Sequence, residues 1–212
     1  MDIIINIFKY ILGFFYQFSG DYGIAIVLLT ITVKFIMLPF SIKQRVAMKK
    51  QISFTKKIEE VKARYKTNKN KQEDELNKLY SENSKGLLGC LIPILQLPII
   101  SGLYMSINRV QIEAMSILVP WTINIGNTDD KFIVPIIYTL ITIAPSIISY
   151  LKVFDKNEQP ATIKSILPMI IMGVLITIKA PIALGIYFIT SSLFNLLEDI
   201  GFRIYSKGKS FV

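Results

Sequence analysis

The 212-residue chain contains no histidine. That removes imidazole general bases, Ser–His–Asp triads and histidine metal ligands together. Cysteine is nearly absent too. Cys90 stands alone inside an apolar run, which excludes disulfides, cysteine clusters for zinc and a Cys–His nucleophile. No G-x-x-x-x-G-K-[ST] phosphate loop occurs, which argues against an ATP-driven pump. Charge is scarce: 18% of residues, against roughly 25% in an average soluble domain. The chain is expected to work without covalent catalysis, cofactor or metal.

What it has in abundance is apolar side chain, 52% of residues. The charges are also gathered in one place. Between Lys43 and Lys85 lie 13 of the 24 Lys and Arg and 6 of the 15 Asp and Glu, so this stretch carries +7 of the +9 net charge. The composition therefore predicts an all-α membrane protein with one basic aqueous segment. A crossing needs about 20 apolar residues. Leu87–Ile107 and Phe132–Leu151 satisfy this without a charge, and Tyr22–Ile42 does so with Lys34 as its one interruption. Ser165–Ile178 and Ala180–Leu197 form two further runs separated by Lys179, Ala180 and Pro181, too little for a loop but enough for a tight helical hairpin. Read together as one kinked segment they exceed 30 residues, too long for a single crossing. Five spans are predicted, the fourth short enough that Lys164 and Lys179 must snorkel or the bilayer must thin.

Basic residues orient the spans. Segment 43–86 belongs in the cytoplasm. Alternation then places 108–131 outside, and puts 152–164 and the tail from Arg203 inside, where lysines and arginines recur. The prediction is a multi-pass bacterial plasma-membrane protein with its N-terminus outside and its C-terminus cytoplasmic. Residues 1–20 form neither a span nor an obvious signal peptide. Asn6, Lys9, Gly13 and Gln17 make a narrow polar stripe on an aromatic-rich helix, the pattern of an amphipathic helix lying in the interface. The acidic Asp2 and mid-run Lys9 suit a signal poorly.

In the basic segment, Met48, Ile52, Thr55, Ile58, Val61 and Tyr65 recur at helical spacing. A polar turn at Lys66–Lys71 follows, then Leu76, Leu79 and Tyr80. This predicts an antiparallel helical hairpin. The bland alternative is a solvated basic loop held by anionic lipid. No RNA-binding motif is present, and DNA is not an expected partner.

Lys34 is the informative charge. It lies eight residues inside the first span, about 12 Å from its end by helix rise. An ammonium at that depth costs at least about 2.5–3.5 kcal/mol in lipid, so it should face protein or water. Thr30 is one turn away. Polar stripes that suit the same space are Thr142, Ser146 and Tyr150 on the third span, and Tyr187, Ser191 and Asn195, with Ser192 adjacent, on the fifth; Gln96 sits in the second. A cytoplasm-open hydrophilic groove, a salt bridge to Glu198 or Asp199, and simple snorkelling all fit Lys34. For any single Ser or Thr the ordinary reading is interhelical hydrogen bonding.

From Tyr22 to Arg203 the chain resembles the YidC/Oxa family of membrane protein insertases. The resemblance rests on Tyr22-Gly23-Ile24-Ala25-Ile26, Val33-Lys34-Phe35-Ile36-Met37-Leu38-Pro39, Ile42-Lys43-Gln44 and Met48-Lys49-Lys50. It continues through Gly89-Cys90-Leu91-Ile92-Pro93, Gln96-Leu97-Pro98, Pro120-Trp121, Gly126 and the run from Pro181 to Tyr187-Phe188. It implies five core helices around a hydrophilic groove whose charge falls at Lys34, a cytoplasmic hairpin over about 43–85, and a last-span site that includes Phe188. It implies an apolar surface on the second and fourth spans along which a client helix enters lipid. The clients are nascent membrane proteins, inserted and helped to fold; the Sec translocon, and the ribosome with targeting factors at the basic hairpin, are the implied partners. The sequence departs from the family in carrying Lys34 for the usual Arg, Ala183 for Gly, Phe188 for Trp, and Ser192 where Asn is common. Two other functions compete from the residues alone: a small anion-binding transporter or channel, and a non-catalytic assembly scaffold. A transporter should show internal repeats, and a channel needs polar residues where Ile24–Leu29 are apolar.

Overall fold

The computed structural model describes residues 2–66, 68–82, 100–105, 115–151 and 163–206. The named elements are helices: α1 Asp2–Ser19, α2 Tyr22–Arg64, α3 Lys69–Glu82, α4 Ile133–Tyr150, α5 Ile163–Lys179 and α6 Ile182–Ser206. Residues 100–105 are helical as well. Three of these helices, α2, α4 and α6, are long and apolar enough to cross a membrane. With 17 residues α5 reaches only about 25 Å, short of a ~30 Å hydrocarbon core. Most of the expected second span, Leu87–Ile107, lies outside the described residues. Large apolar side chains point outward along the long helices, among them Ile36 (73% exposed) on α2 and Leu140 (64%) on α4. A soluble protein rarely exposes so continuous an apolar surface. The chain is an all-α membrane protein.

The chain divides into two compact units, Met1–Met37 with Leu97–Lys207, and Leu38–Gln96 with Gly208–Val212. Within the first, the fully buried side chains gather around the N-terminal ends of the long helices. They are Ala25, Ile26 and Leu29 of α2, Val134 of α4 and Ile182 to Leu184, Ile186 and Tyr187 of α6, joined by Leu12 of α1, Leu103, and Val119 and Ile125 of the loop 115–132. Inside a bilayer helices associate through close packing more than through removal from water, so small residues mark the contacts. A Cβ added at Gly185 of α6 would run into Val134 of α4, and one at Gly173 of α5 would touch the ring of Tyr138. These glycines let α4 pack against both α5 and α6.

Helix α1 ends where Gly20 adopts a left-handed conformation (φ 69°), its amide bonded to the Tyr16 carbonyl at 2.7 Å. Leu12 is buried, with Phe8, Ile11 and Phe15 packed beside it, while Asn6, Lys9 and Gln17 are exposed. Between these faces Tyr10 (79% exposed), Phe14 and Phe18 point outward. The helix thus has three faces: one on protein, one polar and one aromatic.

The second unit contains the predicted turn. Asn68 Oδ1 accepts the Lys71 amide at 3.3 Å, capping α3. Phe54 and Tyr80 meet edge to face at 5.9 Å, and Gln72 Nε2 donates to the Lys62 carbonyl at 3.1 Å, so α3 folds back along the second half of α2. No break separates the first span from the first hairpin arm; α2 is one helix of 43 residues running through Pro39. Nothing between Ile42 and Met48 terminates a helix, since Lys, Gln, Arg, Ala and Met are all good formers, and membrane helices tolerate an interior proline.

Candidate functional site

The site begins with how α2 starts. Asp21 caps it, its Oδ1 accepting the Ile24 amide at 3.0 Å. The next two turns are packed, with Ala25, Ile26, Leu29 and Thr30 each at most 1% exposed. The Thr30 hydroxyl donates to its own helix, to the Ile26 carbonyl at 2.6 Å, so this polar atom is satisfied without water. One turn later the surroundings change. Lys34, about 18 Å along the axis from Tyr22 by helix rise, is half-buried, and its Nζ donates to Oδ1 of Asn195 on α6 at 2.9 Å. Asn195 itself is exposed. Dense apolar packing therefore stops at the level where the charge appears.

The other expected residues divide. Tyr187 and Ser191, on the same stripe of α6 as Asn195, are each 2% exposed. Phe188 is half-buried, with its ring centroid 5.6 Å from that of Tyr138, and Ser192 is half-buried. On α4 the Thr142 hydroxyl donates to the Tyr138 carbonyl at 2.8 Å, Ser146 is half-buried, and Tyr150 is 70% exposed. Gln96 lies outside the described residues. Lys34 and Asn195 are thus brought together directly, whereas Thr142 is satisfied by its own helix and Tyr150 faces outward.

A cavity of about 460 Å³ opens between α2 (Val27, Ile31), the loop (Leu118, Val119, Trp121), α4 (Val134, Ile137) and α6 (Ile186, Ile189, Thr190, Leu193, Phe194, Leu197). None of the described polar candidates lines it. The reason is helical phase: Tyr187, Ser191 and Asn195 follow one stripe of α6, while Ile186, Thr190, Leu193 and Leu197 follow another about a third of a turn round. Among the described lining residues the one hydroxyl, of Thr190, donates to the Ile186 carbonyl at 2.8 Å, so these walls are apolar. Aliphatic side chains also line up on α5, where Leu167, Ile171 and Leu175 are each about half exposed at four-residue spacing.

One polar cluster escaped the sequence reading. Asp199 and Arg203 of α6 form an ion pair at 2.6 Å, and Arg203 Nη2 donates to Ser149 Oγ of α4 at 2.9 Å. Both charged side chains are under 20% exposed. The i, i+4 spacing of the pair was visible; its third member was not, because Ser149 lies next to the stripe containing Ser146 and Tyr150.

The sequence matches the family described as 60Kd inner membrane protein over residues 14–208. It is 34% identical over 189 residues to the protein named Membrane protein insertase YidC 2 of Listeria innocua, covering 86% of this chain and 64% of that relative. Proteins named Membrane protein insertase YidC from Caldanaerobacter subterraneus and Fusobacterium nucleatum are 29% and 28% identical. The Caldanaerobacter match covers 93% of this chain and 92% of the relative, and the Fusobacterium match 98% and 100%. The chain therefore spans just under two thirds of the length of the Listeria protein.

Proposed function

Because the chain belongs to the 60Kd inner membrane protein family, we propose that it is a membrane protein insertase of the bacterial cell membrane. The hydrophilic flank of a client enters a groove around Lys34 and Asn195, open to the cytoplasm, while its apolar stretch passes into lipid. No covalent step is involved. A polar flank that reaches Lys34 has less hydrocarbon left to cross, and a fixed ammonium favours acidic or polar segments there.

The observation that carries this reading is the Lys34–Asn195 contact, seated immediately beyond the packed Ala25–Thr30 segment. A lysine at that depth in a membrane helix is retained where water or protein receives it. The exposed Leu167–Leu175 stripe of α5 supplies an apolar track for a client helix. Same-end placement of the α2, α4 and α6 N-termini supports five crossings. Asp21 and the loop 115–132 tie the three together, an arrangement that one return crossing between each pair would produce. With the basic residues 43–85 facing the cytoplasm, that end is outside, where α1 lies in the interface. Nascent membrane proteins are the clients, and the ribosome, targeting factors and Sec translocon the partners that a basic hairpin would meet beside anionic lipid. A solute channel is disfavoured, because Ala25–Leu29 offers ions an apolar, closely packed path.

The deciding test uses purified protein in lipid vesicles with a single-span client bearing a short acidic flank. Lys34→Ala is expected to reduce insertion and Lys34→Arg to restore it. Equal insertion by wild type, Lys34→Ala and Lys34→Glu would remove the charged groove from the mechanism.

A further inference from the structure

The polar site makes no use of the apolar cavity between α2, α4 and α6. That cavity is a cleft with a deep end and an open side. At the deep end Val119 of the loop, Val134 of α4 and Ile186 of α6 are each at most 5% exposed. Further along the same helices its rim is formed by Ile137, Leu193 and Leu197, which are 38%, 42% and 63% exposed. The cleft therefore starts beside the loop and opens sideways toward the middle of two helices that are long and apolar enough to cross a membrane. Trp121 marks the starting end, and tryptophan favours the level of the lipid headgroups.

Direction and size narrow the occupant. From Ile186 to Leu197 the cleft follows α6 for about 16 Å by helix rise, close to the ~15 Å half-thickness of a hydrocarbon core. Spread over that length, a volume of about 460 Å³ is a trough about 6 Å across. An α-helix with its side chains measures about 10–12 Å, so a client helix would have to part α2 from α4 and α6 to enter. Water suits the walls no better, because a buried water wants two to four polar partners. Among the described lining residues, the Trp121 indole N–H already donates to Asp129 Oδ1 at 3.1 Å and the Thr190 hydroxyl to the Ile186 carbonyl. A single file of methylenes satisfies both the width and the chemistry.

We propose that this cleft binds one acyl chain of a membrane phospholipid, drawn from the leaflet on the side of loop 115–132 and lying lengthwise along α6 with Trp121 near its glycerol end. Moving a chain from bilayer to cleft brings no hydrophobic gain, since both surroundings are apolar. What holds it is close contact on several sides at once: Val27 and Ile31 of α2, Val134 and Ile137 of α4, and Ile189 of α6. The bound chain is then part of the packing that joins α2 to α4 and α6. The inference rests on the chain being a membrane protein and is independent of the insertase reading.

Trp121, the single tryptophan of the chain, reports on the occupant directly. The full chain is reconstituted into vesicles of ordinary phosphatidylcholine or of phosphatidylcholine brominated along its acyl chains, where bromine quenches a tryptophan that it touches. Brominated lipid is expected to quench Trp121 strongly in the wild type. Val27→Phe and Ile189→Phe, which push a ring into the cleft from α2 and from α6, are expected to lose most of that quenching. Circular dichroism checks the helices, and either variant decides the matter where the other fails to fold. Equal quenching in wild type and variant would mean that Trp121 meets only the surrounding bilayer, and overturns the proposal. Acrylamide quenching stronger than that by brominated lipid would put water in the cleft, with the same consequence. Relief of the lipid quenching by a single-span client would assign the cleft to a client helix and overturn it too. Insertion of the acidic-flank client in the same vesicles reports separately on the groove at Lys34.

Discussion

The ammonium of Lys34 and the carboxamide oxygen of Asn195 lie 2.9 Å apart, joining α2 to α6 across 161 residues of sequence. A hydrogen bond from a charged donor is among the stronger side-chain contacts, and here it fixes where the charge sits as well as holding two helices. If Asn195 acts by positioning Lys34, its loss should matter only while Lys34 is present. Asn195→Ala is expected to slow insertion of an acidic-flank client roughly fivefold, about 1 kcal/mol for a partly exposed contact. Lys34→Ala/Asn195→Ala should be no slower than Lys34→Ala. Additive losses in that double-mutant cycle would mean that the two residues act separately.

Asp21 gives the fold an acid dependence with a definite sign. Burial alone would raise its pKa. Hydrogen bonds from the Ile117 and Ile24 amides, the Ser116 hydroxyl and the Gly23 amide outweigh that and hold the carboxyl below the ordinary 3.8. The unfolded chain therefore takes up a proton before the folded chain does. The contribution of Asp21 is fully present above pH 3.8 and is lost as the pH falls below it toward the folded value. Thermal melts in detergent between neutral pH and pH 3, followed by Trp121 fluorescence, should show a shallower acid limb for Asp21→Asn, together with a lower neutral-pH midpoint. An unchanged acid slope in the variant would assign the dependence to other carboxylates.

Two glycines of α6 should respond oppositely to the same substitution. Gly185 has Val134 where a Cβ would go, whereas Gly201 has open space. Gly201→Ala gains helix propensity and should stabilise by about 0.5–1 kcal/mol. Gly185→Ala makes the same gain but overpacks the α4 contact, at about 1–3 kcal/mol, so the net effect is destabilising. Trimming the obstruction in Gly185→Ala/Val134→Ala should recover part of the loss. If Gly185→Ala alone raises the melting temperature, α4 and α6 do not approach as closely as Val134 and Gly185 indicate.

How far the sequence carries depends on whether a feature is local. Lys34 stood out because a charge in an apolar run is conspicuous on its own, and Asn195 followed from a stripe at four-residue spacing. The polar turn expected at Lys66–Lys71, of which Lys69 to Lys71 belong to α3, and the short α5 were equally local. The stripe on α4 misled in detail: Thr142 returns its hydroxyl to the Tyr138 carbonyl, and Ser149 rather than Ser146 is bonded to Arg203. Which face of α4 meets α6 is set by the Val134–Gly185 approach, between residues about 50 positions apart, and periodicity within one helix does not encode it. The continuity of α2 was hidden for a related reason. A change from apolar to basic composition looks like a boundary, but a helix ends only where its backbone is terminated. The loop 115–132 was legible only as an outer connection, because Asp21 reaches Ile117 across 96 residues.

Arg203 holds the far end of the α4–α6 contact, and its chemistry makes the last prediction specific. The guanidinium addresses two partners at once, Nε toward Asp199 within α6 and Nη2 toward Ser149 of α4. A lysine delivers charge from a single point and lacks that fork. Arg203→Lys should therefore keep most of the attraction to Asp199 but lose the tie to α4, whereas Ser149→Ala removes the tie and leaves the ion pair. Both variants are expected to cost about 1 kcal/mol, the usual net worth of one hydrogen bond, since Ser149 keeps its bond to the Pro145 carbonyl at 3.1 Å and Asp199 stays beside residue 203. Combining them should cost little more than either alone, since they remove the same link. Denaturation in mixed detergent micelles measures all three. A spin-label pair on α4 and α6 near Tyr150 and Tyr205 should report a broadened distance distribution in each variant. If Arg203→Lys behaves as wild type while Ser149→Ala does not, the serine acts on α6 through some group other than the guanidinium, and the bridge has no role in holding these helices.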